Sequence, residues 1–421
     1  MKRVWRRLFT VIFCLAVLAA GMVSTSYFRE TEQPEASIES STGPIVPVTV
    51  EEVQVQSREE MRGVWIPCMT LQANEDERNE DGYREKIRTI MSTCEQNGLN
   101  TVIVQVRPFS DALYPSRYFP WSHILTGEQG VGVDFDPLAI LLEQAHAHGL
   151  ALHAWINPLR IRLGSVPEKL SEKNPAVVWK NDNNRDNDGY TFTDGDGEYY
   201  DPSWPEVRKL IIDGVRELAG QYDIDGLQID DYFYPSDDGS FDKKSYERYV
   251  SSLNEGSTPL SQADWRKNNI NMLVSGIRSA LHRANSRAVF GISPQGNFEN
   301  NEKLSADTAS WCSVKGYADY LCPQLYVSMS HPVFPFRALA DRWIAFTKDS
   351  SLPLYFGLGL YKAGTDADSG TWLSSSSNIR EQIAYLRSKG VDGFILYAYD
   401  FLTDDHAHAE VENAMAELKP S

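Results

Sequence analysis

The stretch that decides the fold is Asp225–Pro235, which reads DGLQIDDYFYP. It begins with alternating apolar and polar residues, which is typical of a β-strand, and continues into two acids, three aromatic residues and a proline, which mark a loop. Because alternate side chains of a strand share a face, Gln228 and Asp230 point to the same side. Asp230 is therefore predicted to end a polar, inward-facing strand face, with Asp231 and an aromatic segment directly after it. A simple turn or capping role for the two acids is the alternative.

From residue 60 onward, the chain repeats a unit made of a short strand, a loop with polar and aromatic residues, and an amphipathic helix. Two of the predicted helices begin with Pro, at Pro137 and Pro205, and Gly98, Gly149 and Gly390 follow helix ends, as expected from backbone capping. Eight such units predict an α/β fold, a (β/α)8 TIM barrel, with long loop insertions at 160–200 and 235–262, after strands three and four. The predicted strands are Gly63–Ile66, Thr101–Val106, Ala151–Ile156, Gly226–Asp230, Ala288–Ser293, Asp319–Leu325, Leu354–Leu358 and Gly393–Tyr397. The predicted helices include Tyr83–Asn97, Pro137–His148, Pro205–Gln221 and Asn378–Ser388.

The net charge argues against a nucleic-acid partner, and the cysteine spacing argues against a zinc site. The 421 residues include 58 Asp and Glu against 40 Lys and Arg, a formal net charge of −18. A field of that sign repels phosphate backbones, so nucleic acid is not an expected partner. The cysteines, at positions 14, 68, 94, 312 and 322, lack the spacing of a zinc site. A disulfide between Cys312 and Cys322 stays open at this stage.

The N-terminus has the pattern of an export signal. Residues 1–7 carry four basic side chains, and residues 8–23 are almost wholly apolar, which suits a signal peptide or a short signal anchor over 1–23. Residues 24–57 are rich in Glu, Ser, Thr, Pro and Val, and are predicted to form a disordered linker. The barrel is predicted over 58–415. We therefore expect an exported protein of the cell envelope or the extracellular space, which contacts the cytoplasmic membrane only through an uncleaved leader.

Polar and aromatic side chains recur where the predicted strands end. Because active sites of TIM barrels lie at the C-terminal ends of the strands, these side chains are expected to converge on one pocket. A purely structural role is open for each residue alone; Gln105 and Gln324, for example, could satisfy each other in the barrel. On strand two, Gln105 and Arg107 are predicted to share a face. The expected substrate-binding residues are Arg107, Tyr114, His153, Trp155, Asn157, Tyr232, Gln295, Gln324, Tyr326 and Asp400.

This combination of residue types fits carbohydrate chemistry. Sugars are bound by amide and carboxylate hydrogen bonds together with stacked rings, and cleavage of the glycosidic bond requires carboxyl groups. Asp230 is the predicted central carboxylate and Asp231 its assistant, which requires the chain to bend after Asp230, because neighbours on a straight strand face opposite sides. Asp111 is the next catalytic candidate, followed by Asp400 and Glu299 as possible proton donors.

Two other classes of function remain as alternatives. One is a glycan-binding barrel with little or no turnover, since the proton donor is not identified. The other is a metal-dependent hydrolase that uses His153 and the acids. Barrel hydrolases of that kind need paired histidines at a strand end, and only His153 has such a position, while His146 and His148 end a predicted helix. We therefore predict neither a metal nor another cofactor.

Several linked motifs carry a family resemblance. The chain contains MRGVW at 61–65, VQVRP at 104–108, DALYPS at 111–116, HAWINP at 153–158 and DDYFYP at 230–235. Over about residues 59–410 it resembles the bacterial glycosyl-hydrolase-like 10 family, which includes a divisome-localised hydrolase of peptidoglycan. The resemblance implies an exported (β/α)8 glycoside hydrolase of glycan strands, such as peptidoglycan strands without stem peptides. The pocket motifs of the family fall on Arg107, Asp111, Tyr114, His153, Trp155, Asn157, Asp230, Asp231 and Tyr232.

Overall fold

The computed structural model describes residues 59–418, and the predicted leader and linker lie outside this range. Within it, strands and helices alternate as predicted. Several elements have the predicted bounds, including the third strand and two of the helices. The barrel strands are β1 (Met61–Ile66), β2 (Thr101–Arg107), β3 (Ala151–Ile156), β4 (Gly226–Ile229), β5 (Val289–Ile292), β6 in two segments (Tyr320–Leu321 and Gln324–Leu325), β7 (Tyr355–Leu358) and β8 (Gly393–Leu396).

These strands form one parallel sheet that closes on itself. β6 is interrupted by Pro323, which has no amide hydrogen for the ladder, so its first segment pairs with β5 and its second segment with β7. Isolated parallel bridges from Gln295 to Gln324 and from Leu321 to Leu354 join each segment to the neighbour on its other side. β8 pairs with β1, and β1 with β2, which completes the circle. The predicted TIM-barrel class is confirmed.

Helices surround the barrel, and the alternation of each strand separates two cores. Outward-facing residues such as Val104, Leu227 and Phe356 pack against the helices, whereas Trp65, Trp155 and Tyr320 fill the barrel interior. The helices are Glu80–Gln96, His123–Thr126, Pro137–Ala147, Pro175–Asn181, Pro205–Gln221, Lys243–Ser251, Gln262–Ala284, Phe298–Lys303, Thr308–Ser313, Phe336–Thr347, Ala367–Gly370, Asn378–Ser388 and His408–Leu418. Short 3-10 turns lie at Glu75–Glu77, Arg185–Asn187, Leu360–Lys362 and Tyr399–Phe401.

A β-bulge at the end of β2 overturns one prediction. Gln105 pairs with Trp155 and Arg107 pairs with Ile156, so two residues of β2 oppose one step of β3. The alternation slips by one residue there, and Arg107 faces the helices instead of sharing the inward face of Gln105. Its guanidinium lies 4.3 Å from the ring centre of Phe119 on the outside of the barrel.

The two predicted insertions are present, and they contact each other. The insertion after β3 contains a three-stranded antiparallel sheet of Arg160–Leu163, Gly197–Tyr200 and Thr191–Asp194. The insertion after β4 contains the helix Lys243–Ser251. The Ser245 hydroxyl donates to the buried Asp201 carboxylate over 2.5 Å, and the rings of Phe192 and Phe241 stack with centres 4.6 Å apart. The insertions therefore form one layer beside the opening of the barrel.

Two other expectations concern cysteines and membranes. Cys68, Cys94, Cys312 and Cys322 are all free, so the Cys312–Cys322 disulfide does not form. Within residues 59–418, no helix has both the length and the apolar character needed to span a bilayer. The expected signal or anchor at 1–23 and the linker at 24–57 stay predictions.

Candidate active site

Asp230 lies at the C-terminal end of the barrel and is held from β3. Its Oδ2 accepts a hydrogen bond from Trp155 Nε1 over 3.0 Å, and Asn157 Nδ2 lies 2.7 Å from both carboxylate oxygens. Only 5% of the residue is exposed. β4 ends at Ile229, so Asp230 is the first residue beyond the regular strand, and it keeps the inward direction that the alternation predicts.

Asp231 faces the same opening because the chain bends after Asp230. The Phe233 N–H donates to the Asp231 carbonyl over 3.1 Å, which closes a tight turn directly after the strand. The Asp231 carboxylate accepts from Gln295 Nε2 at 2.8 Å and from Gln324 Nε2 at 3.1 Å, at the ends of β5 and β6. The two acids are thus consecutive in the chain but are held from opposite sides of β4.

Burial and mutual repulsion weaken the acidity of this pair. Burial raises the pKa of Asp230 to about 7, and the neighbouring Asp231 carboxylate raises it further. The positive charge of Arg160 opposes these two effects and lowers the pKa of Asp230. Burial also raises the pKa of Asp231, against the amide hydrogen bonds of Gln295 and Gln324. At neutral pH, a carboxyl with a pKa near 7 can both give and accept a proton, which is the property that general acid catalysis needs.

A chain of amide hydrogen bonds connects Asp230 to a buried arginine. Asn157 Oδ1 accepts from Gln105 Nε2 over 2.7 Å and from Arg160 Nη2 over 2.9 Å. The other end of Gln105 is fixed, because its Oε1 accepts from the backbone N–H of Cys68 over 2.9 Å. Arg160 is 1% exposed, and its Nε donates to the Pro108 carbonyl.

Aromatic side chains border the acids on two sides. On the β3 side, the guanidinium of Arg160 lies 4.8 Å from the ring centres of both Phe109 and Tyr232. On the β6 side, Tyr326 stacks on Tyr397 with ring centres 5.4 Å apart, and Tyr361 packs edge-on against both. We call these sets the arginine wall (Phe109, Tyr232 and Arg160) and the tyrosine wall (Tyr326, Tyr361 and Tyr397). The partly exposed tyrosine rings of both walls offer apolar faces to sugar C–H groups, while the acids and amides between them offer hydrogen bonds.

Comparison with known proteins places this arrangement in a family. The model of the family described as glycosyl hydrolase-like 10 matches residues 60–373, most of the chain. The chain belongs to the glycosyl hydrolase-like 10 family.

Two curated proteins are similar to this chain over most of its length. Glycosyl hydrolase YngK of Bacillus subtilis (strain 168) is 34% identical over 352 residues, which are 77% of this chain but only 65% of YngK. Glycosyl hydrolase DigH of Escherichia coli (strain K12) is 30% identical over 386 residues, which are 84% of this chain and 83% of DigH. This member of the family is therefore a glycoside hydrolase.

Solved structures support the fold. The glycoside hydrolase domain of PgaB (BpsB) from Bordetella bronchiseptica superposes with a TM-score of 0.59 at 14% identity, over 86% of this chain and 99% of that domain. The catalytic domain of a β-amylase from Paenibacillus polymyxa superposes with a TM-score of 0.58 at 11% identity, over 86% of this chain and 100% of that domain. At such low identities these matches establish the architecture alone.

In this glycosyl hydrolase-like 10 protein, most of the residues expected at the site do converge. Trp155 and Asn157 contact Asp230, and Gln295 and Gln324 contact Asp231. Tyr232 and Tyr326 belong to the two walls. Their roles in binding or catalysis stay predictions, because contact with an acid places a residue at the site without showing what it does there.

Asp111 has a different environment from the central pair. It is fully buried in the loop after β2, and its Oδ2 lies 3.2 Å from both His123 Nδ1 and Gln129 Nε2. The other oxygen, Oδ1, has no hydrogen-bond partner among residues 59–418. Asp111 is thus held by its own loop rather than by the strand ends that hold Asp230 and Asp231.

His153 lies deeper in the barrel than the sequence predicted. It precedes Trp155 by two residues on β3, and its Nδ1 lies 2.9 Å from the Tyr320 hydroxyl. Its imidazole passes over Gly226, where an added Cβ would come within 2.6 Å of the ring, so glycine is needed there. Burial lowers the pKa of His153 to about 4, which keeps the ring neutral. The structure places His153 in the barrel interior, below the opening.

Arg107 and Tyr114 lie behind the barrel, contrary to the expectation that they line the pocket. The bulge in β2 directs Arg107 toward Gly214 of the helix Pro205–Gln221, where an added Cβ would lie 2.7 Å from the guanidinium. Tyr114 is 1% exposed and packs edge-on against Tyr222, with ring centres 5.7 Å apart. Both residues therefore belong to the layer between the barrel and its helices.

The remaining acids lie at the rim. Asp400, after β8, is exposed and accepts from the Thr70 hydroxyl, which follows β1, over 2.7 Å. Glu299 is exposed in the first turn of the helix Phe298–Lys303, next to Asn300, which donates to Gln295 over 2.8 Å. Both follow strands of the barrel at its C-terminal end.

The alternative of a metal-dependent hydrolase depends on a cluster of donor side chains. Residues 59–418 contain no group of three or more His, Cys, Asp and Glu side chains arranged to hold an ion. His146 bonds to Asp225 and His148 to Glu95, which agrees with their expected position at a helix end.

Sequence reasoning missed Arg160, because it was assigned to an insertion. Arg160 begins the first strand of that insertion and pairs in register with Tyr199, so the insertion itself completes the site. The available signal was its position three residues after Asn157, at the end of an inward-facing strand. Gln105 has the inward direction that the alternation of β2 predicts, and it contacts Asn157.

Proposed function

We propose that this glycoside hydrolase is exported and cleaves glycan strands of the cell envelope, with peptidoglycan strands that lack stem peptides as its substrate. The observation that carries the chemistry is the pair Asp230 and Asp231, held at the barrel opening with pKa values raised by burial and flanked by two aromatic walls. The leader pattern at 1–23 supports export, and the family resemblance of the sequence supports the choice of glycan.

In the proposed reaction, Asp230 is the general acid. Its proton moves to the glycosidic oxygen while the bond from that oxygen to the anomeric carbon breaks. The ionised Asp231 stabilises the positive charge that develops on the sugar ring. A water molecule then adds its oxygen to the anomeric carbon and returns a proton to Asp230, so the enzyme ends in its starting state.

Each acid accepts hydrogen bonds from two side chains, so the division of roles follows from burial. Asp231 accepts from two amide groups and keeps a partial opening to solvent, which favours the anion. Asp230 is more deeply buried beside that anion, and this favours its protonated form. A polymer can contact rings on both sides of the pair, since the arginine wall lies toward β3 and the tyrosine wall toward β6.

The test compares the full-length protein with its Asp230→Asn variant on purified glycan strands, with and without stem peptides. Released fragments are identified by mass spectrometry, whose masses also separate hydrolysis from lytic cleavage. The variant should lose about a thousandfold in kcat, the range expected for loss of a general acid. The matched control is Asp223→Asn, an exposed carboxylate that precedes β4 at the opposite end of the barrel and pairs with Arg287 over 2.7 Å.

Each outcome has a distinct meaning. Cleavage by the wild type and by Asp223→Asn, with loss in Asp230→Asn, supports the proposal. Cleavage of strands with and without peptides at equal rates would contradict the substrate preference. If no protein cleaves but all bind the strands in a pull-down, a glycan-binding barrel is the better account.

A further inference from the structure

The amide groups beside Asp230 have a defined direction. The two ends of a side-chain amide differ, since the oxygen only accepts and the nitrogen only donates hydrogen bonds, and their assignment depends on the surrounding network. A backbone N–H and an arginine guanidinium can only donate. Here the backbone N–H of Cys68 lies against Gln105, and the guanidinium of Arg160 lies against Asn157. These donor-only groups determine how both amides must point.

The consequence can be followed bond by bond. Because the Cys68 N–H donates to Gln105 Oε1, the nitrogen of Gln105 faces Asn157 and donates to its oxygen. That oxygen also receives a hydrogen bond from Arg160 Nη2. Both donors hold the Asn157 oxygen away from Asp230, so the nitrogen of Asn157 is directed at the Asp230 carboxylate, 2.7 Å from each oxygen.

We propose that Arg160 and Gln105 are positioning residues that act on Asp230 through Asn157, with Arg160 also supplying the buried positive charge of the site. This inference rests on the proposed catalytic role of Asp230 only for its effect on turnover. Neither residue needs to contact the substrate. Arg160 is enclosed between Phe109 and Tyr232 and is 1% exposed, and Gln105 is equally buried.

A packing role alone makes a different prediction from a positioning role. If Arg160 only fills space, its replacement changes the stability of the fold and leaves the proton affinity of Asp230 unchanged. If Arg160 acts on Asp230, loss of its charge removes a force that favours the Asp230 anion, and Asp230 must then hold its proton to a higher pH. The two roles are separated by the pH dependence of Asp230, measured with and without Arg160.

The experiment uses the full-length protein with Arg160→Met, Arg160→Lys and Gln105→Met. The alkaline limb of kcat/KM is measured on peptide-free glycan strands. Arg160→Met should move this limb up by about one pH unit, as expected for loss of a charge close to a buried acid. Arg160→Lys keeps the positive charge but lacks the planar guanidinium that hydrogen-bonds to Asn157. Its kcat should therefore fall, while the pH of its alkaline limb should stay closer to that of the wild type than in Arg160→Met. Gln105→Met should lower kcat about tenfold with little displacement of the limb.

A second measurement does not depend on catalysis. The free energy of unfolding is measured against pH for the wild type and Asp230→Asn, and again for Arg160→Met and the double variant. The difference within each pair reports the titration of Asp230. Its midpoint should be about one pH unit higher without the arginine. Should Arg160→Met fail to fold, Arg160→Gln serves in its place, because it removes the charge and can keep a donor toward Asn157.

The outcomes separate the two proposals. An unchanged midpoint in a well-folded Arg160 variant overturns the positioning role, even if the enzyme cleaves glycans as proposed. A raised midpoint in a protein that cleaves no glycan supports the positioning role and overturns the proposed function.

Discussion

Asp230 and Asp231 are neighbours in the chain, yet their carboxylates are held from opposite directions, Asp230 by Asn157 of the β3 end and Asp231 by Gln295 of the β5 end. The turn closed by Phe233 makes this possible, because it rotates Asp231 inward directly after the strand. Two acids at one opening repel each other when both are ionised, and this repulsion contributes to the raised pKa of Asp230.

Removal of Asp231 should therefore make Asp230 more acidic. In Asp231→Asn the like charge is lost, the pKa of Asp230 should fall from about 7, and the alkaline limb of kcat/KM should move to lower pH. The measurement is the pH–rate profile on peptide-free glycan strands. Asp223→Asn is the control, and a limb that stays in place in Asp231→Asn would show that the two carboxylates titrate independently.

Asp230 should also reduce the stability of the fold at neutral pH. Its pKa in the folded protein, about 7, is higher than in the unfolded chain, so the folded state binds the proton more tightly. The contribution of Asp230 to stability is then fully present below about pH 4 and is lost as the pH rises toward 7. We expect Asp230→Asn to raise the free energy of unfolding by roughly 2 kcal/mol at pH 8 and less at pH 4. Denaturant titrations at the two pH values check this, and an equal difference at both would contradict it.

The tyrosine wall should contribute to binding through its ring faces. Tyr326→Ala removes the ring that stacks on Tyr397 and should raise KM for glycan strands about tenfold, since one aromatic contact contributes roughly 1 kcal/mol or somewhat more. Tyr326→Phe keeps the ring and serves as the control, with KM expected near the wild type. A similar rise of KM in both variants would mean that the hydroxyl rather than the ring binds the substrate.

Arg107 tests the consequence of the bulge in β2. Because it faces the helices, Arg107→Met should leave kcat/KM of the folded enzyme within about twofold and change the free energy of unfolding by less than about 2 kcal/mol, as an apolar side chain of similar length can replace a buried charge. Steady-state kinetics and thermal unfolding provide the two measurements. A hundredfold loss of kcat/KM without a change in stability would return Arg107 to the active site.

Glu410, which lies away from the candidate active site, should make the stability of the fold depend on pH. It is 2% exposed in the C-terminal helix His408–Leu418, accepts from the Ile379 N–H over 2.5 Å, and burial raises its pKa to about 7. Its contribution to stability is therefore present at acid pH and lost as the pH rises from about 4.5 to 7. Glu410→Gln should be more stable than the wild type by about 1–2 kcal/mol at pH 8 and equal to it near pH 4. Glu412→Gln, an exposed change on the same helix, is the control, and equal effects of both variants would rule out a role for burial.

The architecture could be predicted from sequence because it depends on local patterns. The alternation within Asp225–Pro235 and the start of the helix Pro205–Gln221 at a proline are properties of a few consecutive residues, and both are observed as predicted. The inward direction of Asp230, Gln324 and Trp155 follows from the same alternation.

The errors occurred where one residue changes the alternation or where an insertion contributes to the site. A single extra residue in β2 turned Arg107 outward, and no local signal distinguishes a bulge from a regular strand. Depth along a strand was also misjudged, since His153 has the inward direction but lies too far from the strand end. Arg160 lies only three residues after Asn157 and contacts it, but its placement in an insertion concealed that signal.

The layer formed by the two insertions has a consequence for how this enzyme can be altered or can diverge. Arg160 is the first residue of the three-stranded sheet in the insertion after β3. Asp201, directly after that sheet, accepts a hydrogen bond from Ser245 of the insertion after β4. The two insertions thus form one structural unit, and the buried Arg160 charge beside Asp230 belongs to that unit. Exchange of one insertion alone between relatives would break the contact between Asp201 and Ser245 and disturb the surroundings of Asp230. A graft of both insertions together would transfer Arg160 along with that contact.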